Sequence, residues 1–123
     1  MPTYLSKEWI RQADAALRAS GLRTTGGKRF AVEQRVDGTV LHMLFDANGA
    51  CVRPGPADNP TVVFSQSRST AAAIARGEFS AEEAVLNGQT AFEGDPKALV
   101  ANHHILATAD DVFADLRSRT IWD

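Results

Sequence analysis

Asp37-Gly38 constrains the fold of this chain more than any other pair of residues. Aspartate followed by glycine suits a two-residue hairpin turn of the I′ type, whose two central positions both need positive φ. Upstream, Phe30, Val32 and Val36 alternate with polar Arg29, Glu33 and Arg35. Downstream, residues 39–46 are apolar on both parities, with Val40 and Leu44 on one and Leu41, Met43 and Phe45 on the other. A two-residue turn fixes the register, setting Val36 against Thr39, Val32 against Met43 and Phe30 against Phe45. The same register sets Glu33 against His42 on the opposite face, which is expected to be the wetter one. Phe30, Val32, Leu41, Met43 and Phe45 therefore form the predicted core face of the hairpin.

Around the hairpin the punctuation is equally firm. Residues 6–19 read as a helix capped by Ser6 and ended by Gly21, with Trp9, Ile10, Ala13, Ala16 and Leu17 on one stripe. Asn48-Gly49 predicts a second turn and residues 50–53 a short third strand. Pro54, Pro56 and Pro60 then keep the chain out of regular pairing, which predicts a crossing to a new place in the sheet. Residues 61–65 are a compact strand rich in β-branched side chains. A helix over 68–76 follows Ser67 and stops at Gly77. Ser80 and Glu83 form a capping box for another, which stops at Gly88. Residues 89–93 alternate as a fifth strand, and Asp95-Pro96 opens a further helix. A last helix is predicted from Thr108, burying Val112, Phe113 and Leu116. The order predicts an α+β fold: a five-stranded, mostly antiparallel sheet with helices packed on one face.

A chain of 123 residues fits one domain, here residues 1–123, large enough to hold a core without metal or disulfides. The formal net charge of -2 supplies no field for nucleic acid, and the arginines are scattered, so no nucleic-acid partner is expected. Cys51 is the lone cysteine, which points to a reducing compartment. The first residues lack the pattern of a secretory signal, and no apolar run approaches ~18 residues, so no integral membrane segment is expected. A cytoplasmic, bacterial-type protein is the plain expectation.

Chemistry-bearing patterns are sparse. Residues 87–100, NGQTAFEGDPKALV, raise the question of a phosphate-cradling loop. Glu93 and Asp95 at the helix N-terminus would repel an anion and occupy its donors. No glycine-rich nucleotide motif occurs, and no cofactor is expected. His103 and His104 are neighbours that diverge by about 100° on a helix, a poor spacing for one metal ion, so one is expected to pack and one to be solvated. Ser65, Ser67 and Ser69 carry no nucleophile elbow, and nothing sets Cys51 beside a histidine. No catalytic residue and no metal ligand is assigned, and the chain is not expected to be an enzyme.

Residues 60–107 resemble the sterol carrier protein type 2 family of lipid-binding domains. The matching text is Pro60-Thr61-Val62-Val63-Phe64, then a helix ending in Gly77-Glu78-Phe79. A second helix holds Ala84 and ends at Asn87-Gly88, and Gln89-Thr90-Ala91-Phe92-Glu93 runs into Gly94-Asp95. The resemblance implies an apolar cavity between sheet and helices that takes a fatty acid, acyl-CoA or sterol-like molecule without catalysis. The residues expected to line it are Phe30, Met43, Phe45, Phe64, Ile74, Phe79, Val85, Leu86, Thr90 and Phe92. Thr90 stands where relatives usually carry an aliphatic residue, which puts a hydroxyl on the inner face. The competing expectation is a structural or protein-interaction module of the same fold with a filled core. It would pair, as a homodimer or with a partner, around Val112, Phe113, Leu116 and Trp122. An enzyme using Glu33 and His42, or Cys51, would need those groups in the pocket, and the hairpin register points Glu33 and His42 away from it.

Overall fold

The central hairpin forms as its turn dictates. A computed structural model describes residues 1–24, 26 and 28–122. β1 (Phe30–Val36) and β2 (Thr39–Asp46) pair antiparallel with Phe30 opposite Phe45, Val32 opposite Met43 and Glu33 opposite His42. Asp37 and Gly38 both take positive φ, at 45° and 85°. The second turn is one residue earlier than expected. Its central residues are Ala47 and Asn48, the Asp46 carboxylate accepts from the Asn48 N–H at 2.8 Å, and Gly49 already pairs with Asp46 as the first residue of β3 (Gly49–Pro54).

From β3 the proline-rich segment crosses the back of the sheet and delivers β4 (Val62–Gln66) to the far side of β1, parallel to it. β5 (Thr90–Gly94) then pairs antiparallel with β4, so the sheet order is β3-β2-β1-β4-β5. The crossover corrects the expectation of a wet rear face. Glu33 is 1% exposed, accepting from the Ala57 N–H at 3.0 Å and from Arg35 Nε at 2.7 Å. His42 Nδ1 lies 2.9 Å from the Gly55 carbonyl oxygen. Both side chains therefore hold the crossover in place, because a buried carboxylate must have its hydrogen bonds met.

α1 (Lys7–Ala19) packs Trp9, Ile10, Ala13 and Leu17 into the core, with Ser6 Oγ accepting from the Trp9 N–H at 3.2 Å. Its Asp14 accepts from the backbone N–H of Val52 at 2.9 Å, which occupies a donor on the edge strand that would otherwise be open to another strand. α2 (Arg68–Ala75) is capped by Ser67, and α3 (Ala81–Leu86) carries the full Ser80/Glu83 capping box. α4 (Pro96–Ala101) starts at the Asp95 cap as expected. The last part differs: α5 (His103–Val112) begins five residues before Thr108, and Phe113 separates it from α6 (Ala114–Ser118). Asn102 makes the break between α4 and α5, and its Nδ2 donates to the Ala98 carbonyl at 2.8 Å.

The two ends of the described chain meet. Thr3 bridges Ile121 in parallel, the Tyr4 N–H donates to the Ile121 carbonyl at 2.8 Å, and Trp9 Nε1 donates to Thr120 Oγ1 at 3.1 Å. Trp122 lies against Tyr4 with ring centroids 5.0 Å apart. Burial pushes the Tyr4 phenol up to about 12, against a smaller opposing pull from the Arg68 charge.

Candidate functional site

Strand register decides which side chains face the helices. Read across the sheet from β3 to β5, one inward row runs Val52, Met43, Val32, Val62, Gly94. The next runs Pro54, Leu41, Gln34, Phe64, Phe92, and the last runs Thr39, Val36, Gln66, Thr90. Phe30 and Phe45 close the other end, stacked at 6.0 Å. Phe64 and Phe92 form a second aromatic pair at 5.5 Å.

Gly94 is the one described glycine of the chain at which an added Cβ would clash. A Cβ there would lie 2.3 Å from the Thr61 carbonyl oxygen, and its φ of +117° suits glycine alone. The close approach explains why the 87–100 stretch is so strongly punctuated: β5 must lie flush against the start of β4.

Of the expected lining residues, Phe30, Phe45, Phe64 and Thr90 are buried, and Met43 and Phe92 are half-buried on the same inward face. Ile74, Phe79 and Val85 are half-buried on or beside α2 and α3. Leu86 departs from the expectation, since it is 85% exposed. In six-residue α3 the inward position belongs to Ala84, and Leu86 lies about 200° further round the helix. Thr90 donates its hydroxyl to Gln66 Oε1 at 2.7 Å.

Sequence reasoning missed Gln34 and Gln66. Gln34 has the same strand parity as Val32 and Val36, so the hairpin register already carried the signal.

Two open concavities lie elsewhere. One, of about 460 Å³, is lined by Asp37, Arg68, Ser69, Ala72, Arg76 and Trp122. Its charges are already engaged: Asp37 accepts from the Arg68 N–H at 2.7 Å, Arg68 Nη2 donates to the Tyr4 carbonyl at 2.7 Å, and Arg76 pairs with Glu78 at 2.5 Å. The other, of about 380 Å³, lies between α1 and β3 beside Ile10 and Val52. Neither touches an expected lining residue.

No cluster that could hold a metal ion occurs among the described residues. His103 and His104 are both exposed, which corrects the expectation that one would pack, and His103 Nδ1 lies 3.8 Å from Glu82. No helix among the described residues is long and apolar enough to cross a membrane. Leu116 is buried, and Trp122 packs on Tyr4, so the surface expected for a protein partner is partly consumed inside the molecule.

The model of the SCP-2 sterol transfer family matches residues 7–107. The chain belongs to this family. Lipid binding and transfer is the family's general role. Among curated proteins, none matches this chain in sequence. The crystal structure of sterol carrier protein 2 has the same fold, with a TM-score of 0.56 at 16% identity over 93% of this chain and 97% of that one. The ubiquinone synthesis protein UbiJ-SCP2 is similar at a TM-score of 0.57 and 16% identity, over 91% of this chain and 95% of its own. The fold also occurs within the sec-alkylsulfatase Pisa1 from Pseudomonas sp., at a TM-score of 0.51 and 12% identity over 84% of this chain. The present chain spans only 14% of the sulfatase's length.

Proposed function

We propose that this protein binds and carries a lipid or other apolar small molecule between the inner face of its sheet and helices α2–α5, without catalysing a reaction on it. The observation that carries this reading is the incomplete burial of that interface. Ile74, Phe79, Val85, Phe92, Leu99 and Leu106 are all only half-buried, and Ile74 and Val85 adjoin the buried alanines Ala73 and Ala84 on α2 and α3. Small residues beneath large, partly wet ones leave apolar surface that a ligand would cover. Each buried methylene of such a ligand contributes about 0.8 kcal/mol.

Native mass spectrometry of freshly purified protein tests the proposal, followed by delipidation and titration with single-chain lipids. A co-purifying apolar adduct, or a saturable rise in Tm with added lipid, is the expected result. An adduct-free protein whose Tm is unmoved by alkyl, acyl and sterol ligands overturns it and leaves the filled-core module.

A further inference from the structure

The inner face of the sheet carries no charge. None of the inward residues in the three rows, nor Phe30, Phe45 or Ala50, is ionisable. The buried carboxylate, Glu33, belongs to the rear face and is occupied by the crossover. Polar side chains on the inner face are Thr39, Gln34, Gln66 and Thr90; Gln34 is a diagonal neighbour of Gln66, and Gln66 pairs across to Thr90.

Gln34 is anomalous. It is half-buried, while Val32 and Val36, on the same strand and the same face, are 1% and 2% exposed. Solvent therefore reaches the middle of the central strand at this residue. Among the described residues its side-chain amide has no hydrogen-bond partner, and neither does Gln66 Nε2. The Thr90 proton is committed to Gln66 Oε1, which leaves Gln66 Nε2 as a donor and the Gln34 amide as both donor and acceptor.

We propose that Gln34, Gln66 and Thr90 recognise an uncharged, oxygen-bearing group at the buried end of the ligand, so that this protein selects a neutral single-chain amphiphile (an alcohol, ketone or ester) over a carboxylate. The inference rests on the carrier reading above. A carboxylate brought to this corner would lose its water with no cation on the sheet face to replace it, which costs far more than burying a hydroxyl. A bare hydrocarbon end would cover the two amides and leave them unpaired. A neutral hydroxyl or carbonyl oxygen meets both demands.

Displacement of Nile red from the full chain by dodecanol, dodecanoate and dodecane, at a pH where the acid is ionised, tests the assignment. Dodecanol is expected to compete at roughly tenfold lower concentration than either other ligand, about the value of one well-made hydrogen bond. A Gln34→Leu/Gln66→Leu variant is expected to bind dodecane at least as well as dodecanol while keeping its circular dichroism spectrum. The wild-type comparison stands alone if that variant does not fold. Dodecanoate matching or beating dodecanol overturns the inference and leaves the carrier reading intact, as does an alcohol preference that survives in the double variant. If Nile red does not bind and no ligand raises Tm, the carrier reading falls and this inference falls with it.

Discussion

The two halves of this molecule are packed on different terms. In the half made by α1 and β1–β3, large side chains close the core: Leu17 and Phe45 are fully buried, and Phe30 and Val32 are 1% exposed. In the half made by β4, β5 and α2–α5, the helices bury mainly alanines, namely Ala71, Ala72, Ala73, Ala84 and Ala109, with Ile105 as the one larger residue. Val62 and Phe64 of β4 are buried, but Ile74, Phe79, Val85, Phe92, Leu99 and Leu106 stay half-wet, and Leu86 and Val100 are 85% and 77% exposed. A dry, interlocked half resists rearrangement, whereas a half lined by small residues can part and close again at little cost. On the carrier reading proposed above, the two halves have separate tasks, one holding the fold and the other available to a guest.

Mutations in the two halves should therefore have unequal consequences. The largest effect is expected for Phe45→Ala, which leaves a cavity in the dry half. It should lose about 3–5 kcal/mol in urea unfolding, and a loss under about 1 kcal/mol would break the contrast. Gly94→Ala follows, at about 3 kcal/mol, because its Cβ has no room beside the Thr61 carbonyl oxygen. Hydrogen exchange should then quicken along β5 before it does along β1 and β2.

Alkaline pH probes the clasp between the chain ends. Tyr4 is raised from 10.0 to about 12 in the folded protein, so its contribution is complete below pH 10 and is lost as pH rises towards 12. A shift of that size corresponds to roughly 3 kcal/mol. Tyr4→Phe should remove this part of the alkaline loss of stability, measured by chemical unfolding at a series of pH values. In the looser half, Phe92→Ala should cost only about 1–2 kcal/mol of stability while weakening lipid binding at least tenfold, as read by fluorescence titration. Leu86→Ser is the smallest, within about 0.5 kcal/mol. A large drop in Tm for Leu86→Ser would mean that the α3 face is covered after all.

Much of the fold was legible because it rests on interactions a few residues long. The Asp37-Gly38 turn carried the whole β1–β2 register, and Ser6, Ser67, Ser80 and Asp95 each marked a helix start that formed. The misses have equally local causes. Gly49 reads from the sequence as a turn residue, yet its φ of 143° serves a strand that has already begun. The bounds of the last helices do not show in the sequence because Asn102 and Phe113 break the run without glycine or proline, and neither α5 nor α6 has a side-chain cap. Among the residues expected at the site, the shared face of those on strands was legible by parity, apart from the two glutamines. Leu86 was not, since a six-residue helix offers too few turns for an apolar period to show which side faces in.

The sequence by itself determined the elements, their caps and the face of each hairpin strand, since turn chemistry and side-chain alternation act between neighbours. Tertiary structure alone decided that β4 lies parallel to β1, that Glu33 is sealed beneath the crossover, that Leu86 faces water, and that Gln34 keeps solvent in the middle of a buried strand. Those outcomes depend on which distant segments come to rest on one another, and burial belongs to the assembled layers rather than to any stretch of chain.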